Sequence, residues 1–416
     1  MSKKLWGGRF TKKVDKEFFE FQKSIQFDHK LARYDVMHSM LHVLALAEAK
    51  LLKKPEKSKL YKALKAIRED VKKGRFKYDK RSEDIHTDIQ NKVEKKVGKL
   101  ALKLHTLRSR NDQVAFDEKA FCYKKSGEII DLLDNLIASL VFLKKKYMNY
   151  SIVGYTHTQR AQTVLFKDYI SAYSAMFGRD KKRLSNYYGN LEVHIGAGAL
   201  AGSSIGRKNY DKAIAKLLSL IGDFYIRPSI NTLDDVSDRD FIIELLSVIS
   251  IIQMHLSRLA EDLILYSTKE FNFIKLPEEF CTGSSLMPHK KNPDFLELVR
   301  GNTGRIYGNL VSILVMMKGL PLTYNRDMQL DKEPLFSTVE AIEDEVKIMT
   351  RFLKGLELNK KNIYEALKDE NLYAVKKADN LVRKSGMSFK EAHDFVGKEI
   401  KLQESLEEKL AKRPIK

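Results

Sequence analysis

Cysteine is almost missing from these 416 residues. Cys122 and Cys281 are the only two, too few for a disulfide framework or a cysteine-built metal site. The charged start, Met1-Ser2-Lys3-Lys4, is followed by no apolar core, so no secretory signal is expected. The longest greasy stretch, Phe241 to Leu256, is interrupted by Glu244 and is shorter than a bilayer crossing requires. These absences leave a soluble, cytoplasmic protein as the expectation. Proline is scarce as well. There are eight, and none lies between Pro55 and Pro228 or between Pro228 and Pro277, so nothing in those runs breaks a helix by removing an N–H. Strand-like alternation of β-branched residues is rare too.

What is present is helix text. Leu, Lys, Ala and Glu dominate, and 43% hydrophobic residues against 31% charged ones are enough for a sizeable core. Ile242, Leu245, Ile249, Ile252, Leu256, Leu259, Leu263 and Tyr266 follow one another at alternating spacings of three and four, the seam of a helix that packs knobs into holes. Ile243, Leu246, Val248 and Ile251 widen the apolar surface, so this helix needs neighbours on more than one side. Gly127 to Met148, Thr163 to Tyr188 and Arg300 to Met317 are long enough for further helices. The fold class expected is all-α: a long central helical bundle, residues 108–356, between smaller helical domains at 1–107 and 357–416.

Two glycine-bearing stretches interrupt this text. Gly196-Ala-Gly198-Ala-Leu-Ala-Gly202-Ser-Ser-Ile-Gly206 lacks the GK[ST] ending of a phosphate loop and is placed after a helix rather than a strand, so it reads as a flexible connection. Thr282-Gly-Ser284-Ser285-Leu-Met-Pro-His289-Lys290-Lys-Asn292-Pro293 reads as a loop. Its hydroxyls, ammonium groups and amide suit a carboxylate-bearing ligand, although composition alone favours a solvated turn. His38 and His42 have a metal-like spacing, but no Glu follows His38 and the HExxH pattern fails.

The segment Gly283-Ser-Ser-Leu-Met-Pro-His-Lys-Lys-Asn292-Pro-Asp294 resembles the GSSxMPxKxN loop of the fumarase/aspartase superfamily, and its longer form is similar to the argininosuccinate lyase family. Other segments agree in order and spacing: Leu5-Trp-Gly-Gly-Arg-Phe10, Ser24-Ile-Gln-Phe-Asp28, Glu83-Asp84-Ile-His86 and Arg108-Ser-Arg-Asn-Asp-Gln113. Gly154 to Gln162, Gly196 to Gly202, Val236 to Asp240 and Leu320 to Gln329 with Lys332 complete the set. The resemblance covers roughly residues 5 to 400. Two departures stand out. His289 replaces the usual Gln, and the chain stops soon after Ala392 to Lys398, which implies a shortened C-terminal domain.

The resemblance implies a β-elimination that releases arginine and fumarate from argininosuccinate. Removing a weakly acidic proton beside a carboxylate leaves a dianionic aci-carboxylate, which needs donors placed where that charge develops. Lys290 and Asn292 fit that need. Ser284 is implied as the base, although spacing alone leaves Ser285 its equal, and a serine needs nearby positive charge to serve. His157 is implied as the acid or acid relay for the departing nitrogen, oriented by Glu297. Ser24, Ser109, Arg110, Asn111 and Thr156 are similar to the family's carboxylate and amino-group contacts. Tyr324, Gln329 and Lys332 are similar to residues near the other end of the ligand. Asp84 and His86 stand as supports or as a helix-capping pair, and Asp238 and Arg239 as site supports or a salt bridge, the structural role carrying more weight. The family implies a homotetramer with shared active sites and neither a metal nor an organic cofactor.

Two other readings compete. Lys+Arg 75 against Asp+Glu 55 gives a net charge of +20, which suits a nucleic-acid-binding protein, but the lysines are dispersed and no nucleic-acid motif accompanies them. Adenylosuccinate lyase shares the SSxMPxK-type loop but not the Trp6 to Phe10 start or the Ser109 to Asp112 segment.

Overall fold

The computed structural model describes residues 11–221 and 225–411. The Leu5–Phe10 motif and residues 412–416 lie outside the described residues. Helix accounts for 71% of the described residues, about twice the share of an ordinary globular domain, and the fold class is all-α.

Five long helices carry the architecture: Arg110–Lys146, Phe166–Asn190, Asp240–Ser267, Asp294–Met317 and Lys332–Gly355. The first two occupy the long proline-free run. The heptad seam lies where the periodicity puts it, within Asp240–Ser267. Ile242, Leu245, Ile249, Ile252, Leu256 and Leu259 have no solvent exposure, and Leu263 is 1% exposed. This helix is long and apolar enough to cross a membrane, yet most of its apolar window is buried inside the protein. Burial against other helices accounts for its greasiness.

The chain forms two compact units, each assembled from separated stretches. One holds residues 1–131, 180–251 and 304–343; the other holds 132–179, 252–303 and 344–416. The three consecutive segments expected from sequence are a different kind of division, because each long helix contributes residues to both units. In the first unit, Ala32–Glu48 packs on Lys54–Lys72, Ile85–Val97 and Arg207–Ile221. Nearly all of Ala32–Glu48 is buried, as a helix covered by three others must be. In the second unit, Ala374–Ser385 packs on Phe389–Ala411 around Ala378, Ala392 and Val396.

Three two-stranded sheets modify the helical picture. Ser151–Thr156 pairs antiparallel with Gln159–Leu165, with a bulge at Gly154/Tyr155. The helix expected from Thr163 therefore begins at Phe166 instead. Thr163 and Val164, both β-branched, belong to the strand. Val193–Ile195 pairs parallel with Ile226–Pro228, so the glycine stretch at 196 follows a strand, not a helix as expected. Expected to be a flexible connection, that stretch is closely packed in the structure. Gly196 has φ +90, and a Cβ there would lie 2.6 Å from the Tyr210 ring. Gly198 has φ +65, and a Cβ there would lie 2.8 Å from Gly202 O. Only glycine tolerates such backbone and such proximity.

Candidate active site

The residues singled out from sequence fall into two sets, one in each unit. Ser24, Asp84, His86, Ser109, Arg110, Asn111, Tyr324, Gln329 and Lys332 belong to the first; Thr156, His157, Ser284, Lys290, Asn292 and Glu297 belong to the second.

In the first unit the early segments are tied together by carboxylates. Ser24 Oγ donates to Asp28 Oδ2 (2.5 Å), and Asp28 Oδ1 accepts from Ile85 N (3.1 Å). Ser24 N donates to Glu83 O (2.9 Å). Asp84 caps the helix Ile85–Val97 by accepting from Thr87 N (2.7 Å) and pairs with Arg110 at 3.2 Å. Of the two roles expected of Asp84, the helix cap is the one seen directly. Burial pushes the Asp84 carboxyl up, but Arg110, His86 and the Thr87 donors outweigh it and hold the group below its usual range. Arg110 opens the 37-residue helix Arg110–Lys146 and also donates to Thr87 Oγ1 (3.2 Å). Ser109 Oγ accepts from Asn111 N (3.2 Å) at the same helix start, where N–H groups lack intrahelical partners.

Beneath these residues lies a buried polar layer that sequence reasoning missed. His86 Nδ1 donates to Asp35 Oδ1 (2.8 Å), which also accepts from Gln113 Nε2 (2.7 Å). Asp117 Oδ2 stands 3.6 Å from the same ring nitrogen. Asp35, His86 and Asp117 have metal-like proximity, their ligand atoms lying within 4.8 Å of one another, but His86 Nδ1 is already committed to Asp35. Burial raises the Asp35 carboxyl, and His86, with Arg108 and His38, overcomes it and holds Asp35 well below its usual range. Burial and then the Asp35 charge push Asp117 well above the carboxylate range. His38 and His42, the pair with metal-like spacing, are both fully buried. Burial lowers both, His42 to about 3, and His42 Nε2 is held by Thr106 O at 2.9 Å. They are packed neutral rings.

Asp112, one residue after Asn111, reaches the glycine stretch. Its two oxygens accept from Gly196 N at 3.1 and 3.2 Å, and the residue is 2% exposed. Ser203 Oγ donates to Leu107 O (2.8 Å) and Thr232 Oγ1 to Leu200 O (2.6 Å). The N–H cradle that might have held a ligand's anion is filled by the protein's own carboxyl group.

Tyr324, Gln329 and Lys332 are consecutive in space. Gln329 Nε2 donates to Tyr324 Oη (2.8 Å), and Lys332 Nζ to Gln329 Oε1 (3.5 Å). Lys332 is 1% exposed and lies between Glu118 and Asp331. Asp238 pairs with Lys119 at 2.8 Å and Arg239 pairs with Asp331 at 2.5 Å, the structural roles expected of them.

In the second unit the Ser151–Thr156/Gln159–Leu165 hairpin carries Thr156 and His157 at its tip. His157 (φ 54) and Thr158 (φ 59) are the two turn residues, the backbone a two-residue hairpin demands. Both residues are exposed. The serine loop has a closed neck: Thr282 N donates to Asn292 O (3.2 Å) and Asn292 N to Thr282 O (2.8 Å). Ser284 Oγ accepts from Leu286 N (3.3 Å) and Met287 N (3.0 Å). Asn292 Nδ2 donates to Gly283 O at 3.4 Å. His289, Lys290 and Glu297 are exposed, Glu297 in the first turn of Asp294–Met317. Among the described residues no ion pair joins His157 to Glu297.

A family model described as "Lyase" matches residues 8–308. An argininosuccinate lyase of Clostridium botulinum is 46% identical over 396 residues, covering 95% of this chain and 88% of that protein. One from Legionella pneumophila is 47% identical over 399 residues, covering 95% of each. Among solved structures, a class II fumarase from Schistosoma mansoni superposes with a TM-score of 0.76 at 19% identity, covering 90% of this chain and 85% of the other. An EDDS lyase variant with bound fumarate gives 0.75 at 23% identity, covering 93% and 76%. Near-complete coverage at this identity, the shared helical fold and the intact serine loop leave one assignment: the chain belongs to the argininosuccinate lyase family, within the fumarase/aspartase superfamily.

Proposed function

We propose that the protein cleaves argininosuccinate to arginine and fumarate by β-elimination, in the cytoplasm, as a step of arginine biosynthesis. The observation that carries this reading is the near-full-length likeness to curated argininosuccinate lyases. Ser284 takes the proton from the carbon beside a carboxylate; the C–H electron pair passes into that carboxylate as the dianionic aci-carboxylate, then returns to form the C=C bond as the C–N bond breaks and its pair leaves on nitrogen. Two backbone N–H groups already point at Ser284 Oγ; such donors favour the anionic form of an oxygen. Lys290 and Asn292 stabilise the aci-carboxylate. His157, at the tip of the hairpin, delivers the proton to the leaving guanidino nitrogen, with Glu297 as its orienting carboxylate. Arg110, Asn111, Ser24, Ser109 and Thr156 hold the carboxylate end, an Arg being suited to a two-point grip.

The proposal includes a homotetramer in which several copies supply each site. Leu298, Val311 and Val315 are 66%, 54% and 53% exposed on Asp294–Met317. One helix presenting that much apolar surface favours a protein partner, and a second copy of the chain fits it.

Purified protein incubated with argininosuccinate should release fumarate, followed by ultraviolet absorbance, and adenylosuccinate should not react. Ser284→Ala should lower kcat by about 10²–10⁴, the scale of a lost general base, with unchanged circular dichroism. No fumarate from the wild type would reject the substrate; full activity of the variant would reject the base.

A further inference from the structure

The end of the hairpin that carries His157 stands apart from the rest of its ladder. Ser151–Thr156 and Gln159–Leu165 pair in step as far as Gly154 opposite Gln162; beyond that point Tyr155 faces Arg160 and Thr156 faces Gln159. Ala161 is the extra residue of the bulge. The crossing there is tight, since a Cβ on Gly154 would lie 2.9 Å from Gln162 O. A bulge interrupts the ladder and bends the strand, so the pairs below it do not by themselves aim the tip. Thr158 Oγ1 donates to His157 O (2.6 Å) within the turn, and every residue from 156 to 160 is exposed.

Contacts outside the ladder hold the tip instead. Tyr155 packs edge-on to Phe271, with ring centroids 5.4 Å apart, and its ring lies 6.3 Å from that of Tyr266. On the other strand Arg160 Nη1 donates to Asp369 Oδ2 (3.1 Å), a partner 209 positions away in the turn between Lys360–Ala366 and Ala374–Ser385. That carboxylate is itself held, because Asp369 Oδ1 accepts from Asn371 N (3.1 Å) and caps Glu370–Tyr373. Tyr373 Oη closes the same turn by donating to Leu367 O (3.0 Å). Arg160 and Asp369 are 45% and 25% exposed, and an ion pair that wet adds little stability. What a pair so placed can do is aim, since Arg160 is three residues from His157 and on the tip side of the bulge. An imidazole must come within hydrogen-bond reach of the nitrogen it protonates, and a small misplacement is costly in rate.

We propose that Arg160 and Asp369 are positioning residues for His157: their ion pair fixes the tip of the hairpin on the turn at 367–373, so that a distant segment of the chain sets where the acid stands. This rests on the proton-donor role given to His157 above and adds what aims it.

The test is steady-state kinetics on the full-length protein carrying Arg160→Met, which keeps most of the stem and removes the charge, Asp369→Asn, which keeps an acceptor for Asn371 N, or both. Each single variant should lower kcat for argininosuccinate about tenfold. KM should rise by no more than about threefold, because Thr156 rides the same tip. The double variant should be no slower than the slower single one, as two residues acting through one contact require. Arg160→Lys keeps the charge and should recover most of the loss. Melting temperatures should stay within about 2 °C of wild type throughout. Full kcat in either single variant overturns the proposal. So does a double variant whose loss is the product of the two, since the residues then act separately. A fall in kcat matched by a fall in folded protein, with Arg160→Lys as impaired as Arg160→Met, marks a merely structural role and overturns it as well. His157→Asn tests the underlying reading on its own: undiminished kcat there would remove the acid, whatever the ion pair does.

Discussion

Replacing Asp112 by alanine should release the glycine loop that follows Ile195. In the native protein both oxygens of Asp112 sit within 3.2 Å of Gly196 N, in a site 2% exposed. Alanine leaves that N–H buried with no acceptor, a loss of about 1–3 kcal/mol. Taking about 2 kcal/mol, and tenfold per 1.4 kcal/mol, the loop should open about 30 times more often. Amide hydrogen exchange of a peptide spanning residues 193–206 reads that opening directly. Asparagine separates acceptor from charge. Burial raises Asp112 to about 7 in spite of its N–H donors, so the neutral acid is already well populated near neutrality, and an amide of the same shape keeps one acceptor oxygen. Asp112→Asn should therefore exchange within about fivefold of wild type, the remainder of a single neutral hydrogen bond. Exchange unchanged in the alanine variant would refute the clamp. Equal acceleration in both variants would show that charge, not an acceptor, holds the loop.

Two more expectations concern stability. Burial raises Glu345 to about 7, while Asn302 Nδ2 donates to it at 2.7 Å. A folded-state pKa above the unfolded value means stability that is complete below the unfolded pKa and lost as pH rises through about 7. Glu345→Gln keeps the acceptor and cannot ionise, so its Tm should exceed that of wild type at pH 8 and match it below about pH 4; a gain equal at both pH values would contradict the assignment. Ile249, fully buried in the heptad seam, should cost about 2–5 kcal/mol as alanine. Denaturant titration should show a smaller loss for Ile251→Ala, since Ile251 is only half-buried.

The parts of this fold written locally were legible. The three-four spacing from Ile242 to Leu263 marks a buried helix because each apolar residue announces its own face. The Gly283–Pro293 loop declares itself by composition. The hairpin at 151–165 did not, because its turn is His157-Thr158 at positive φ, without the Asn-Gly or Asp-Gly that signals such turns. The glycine stretch looked flexible because glycine's freedom is visible in sequence, whereas what removes it comes from residues 84 and more positions away, at Asp112. The same holds for the polar layer. Asp35 meets His86 across 51 positions, and Glu118 meets Lys332 across more than 200. A carboxylate on an apolar helix such as Ala32–Glu48 is the one cue, since it survives burial only with a partner.

The charge balance illustrates the same point from the opposite side. Taken as composition, +20 invites an anionic macromolecule as partner. Among the described residues, however, the buried charged side chains are mostly acidic. Asp28, Asp35, Asp112, Asp117, Glu118, Asp331 and Glu345 are buried, whereas Lys119, Arg239 and Lys332 are the buried lysines and arginines. The exterior is thus more positive than the formal count, and burial raises the carboxyls of Asp112, Asp117, Glu118 and Glu345. The acids inside have work of their own: they orient His86, pin the glycine loop and brace Lys332. A chain that commits its carboxylates to buried hydrogen bonds and ion pairs leaves its surface basic as a by-product, so a charge of +20 by itself does not call for a nucleic-acid partner.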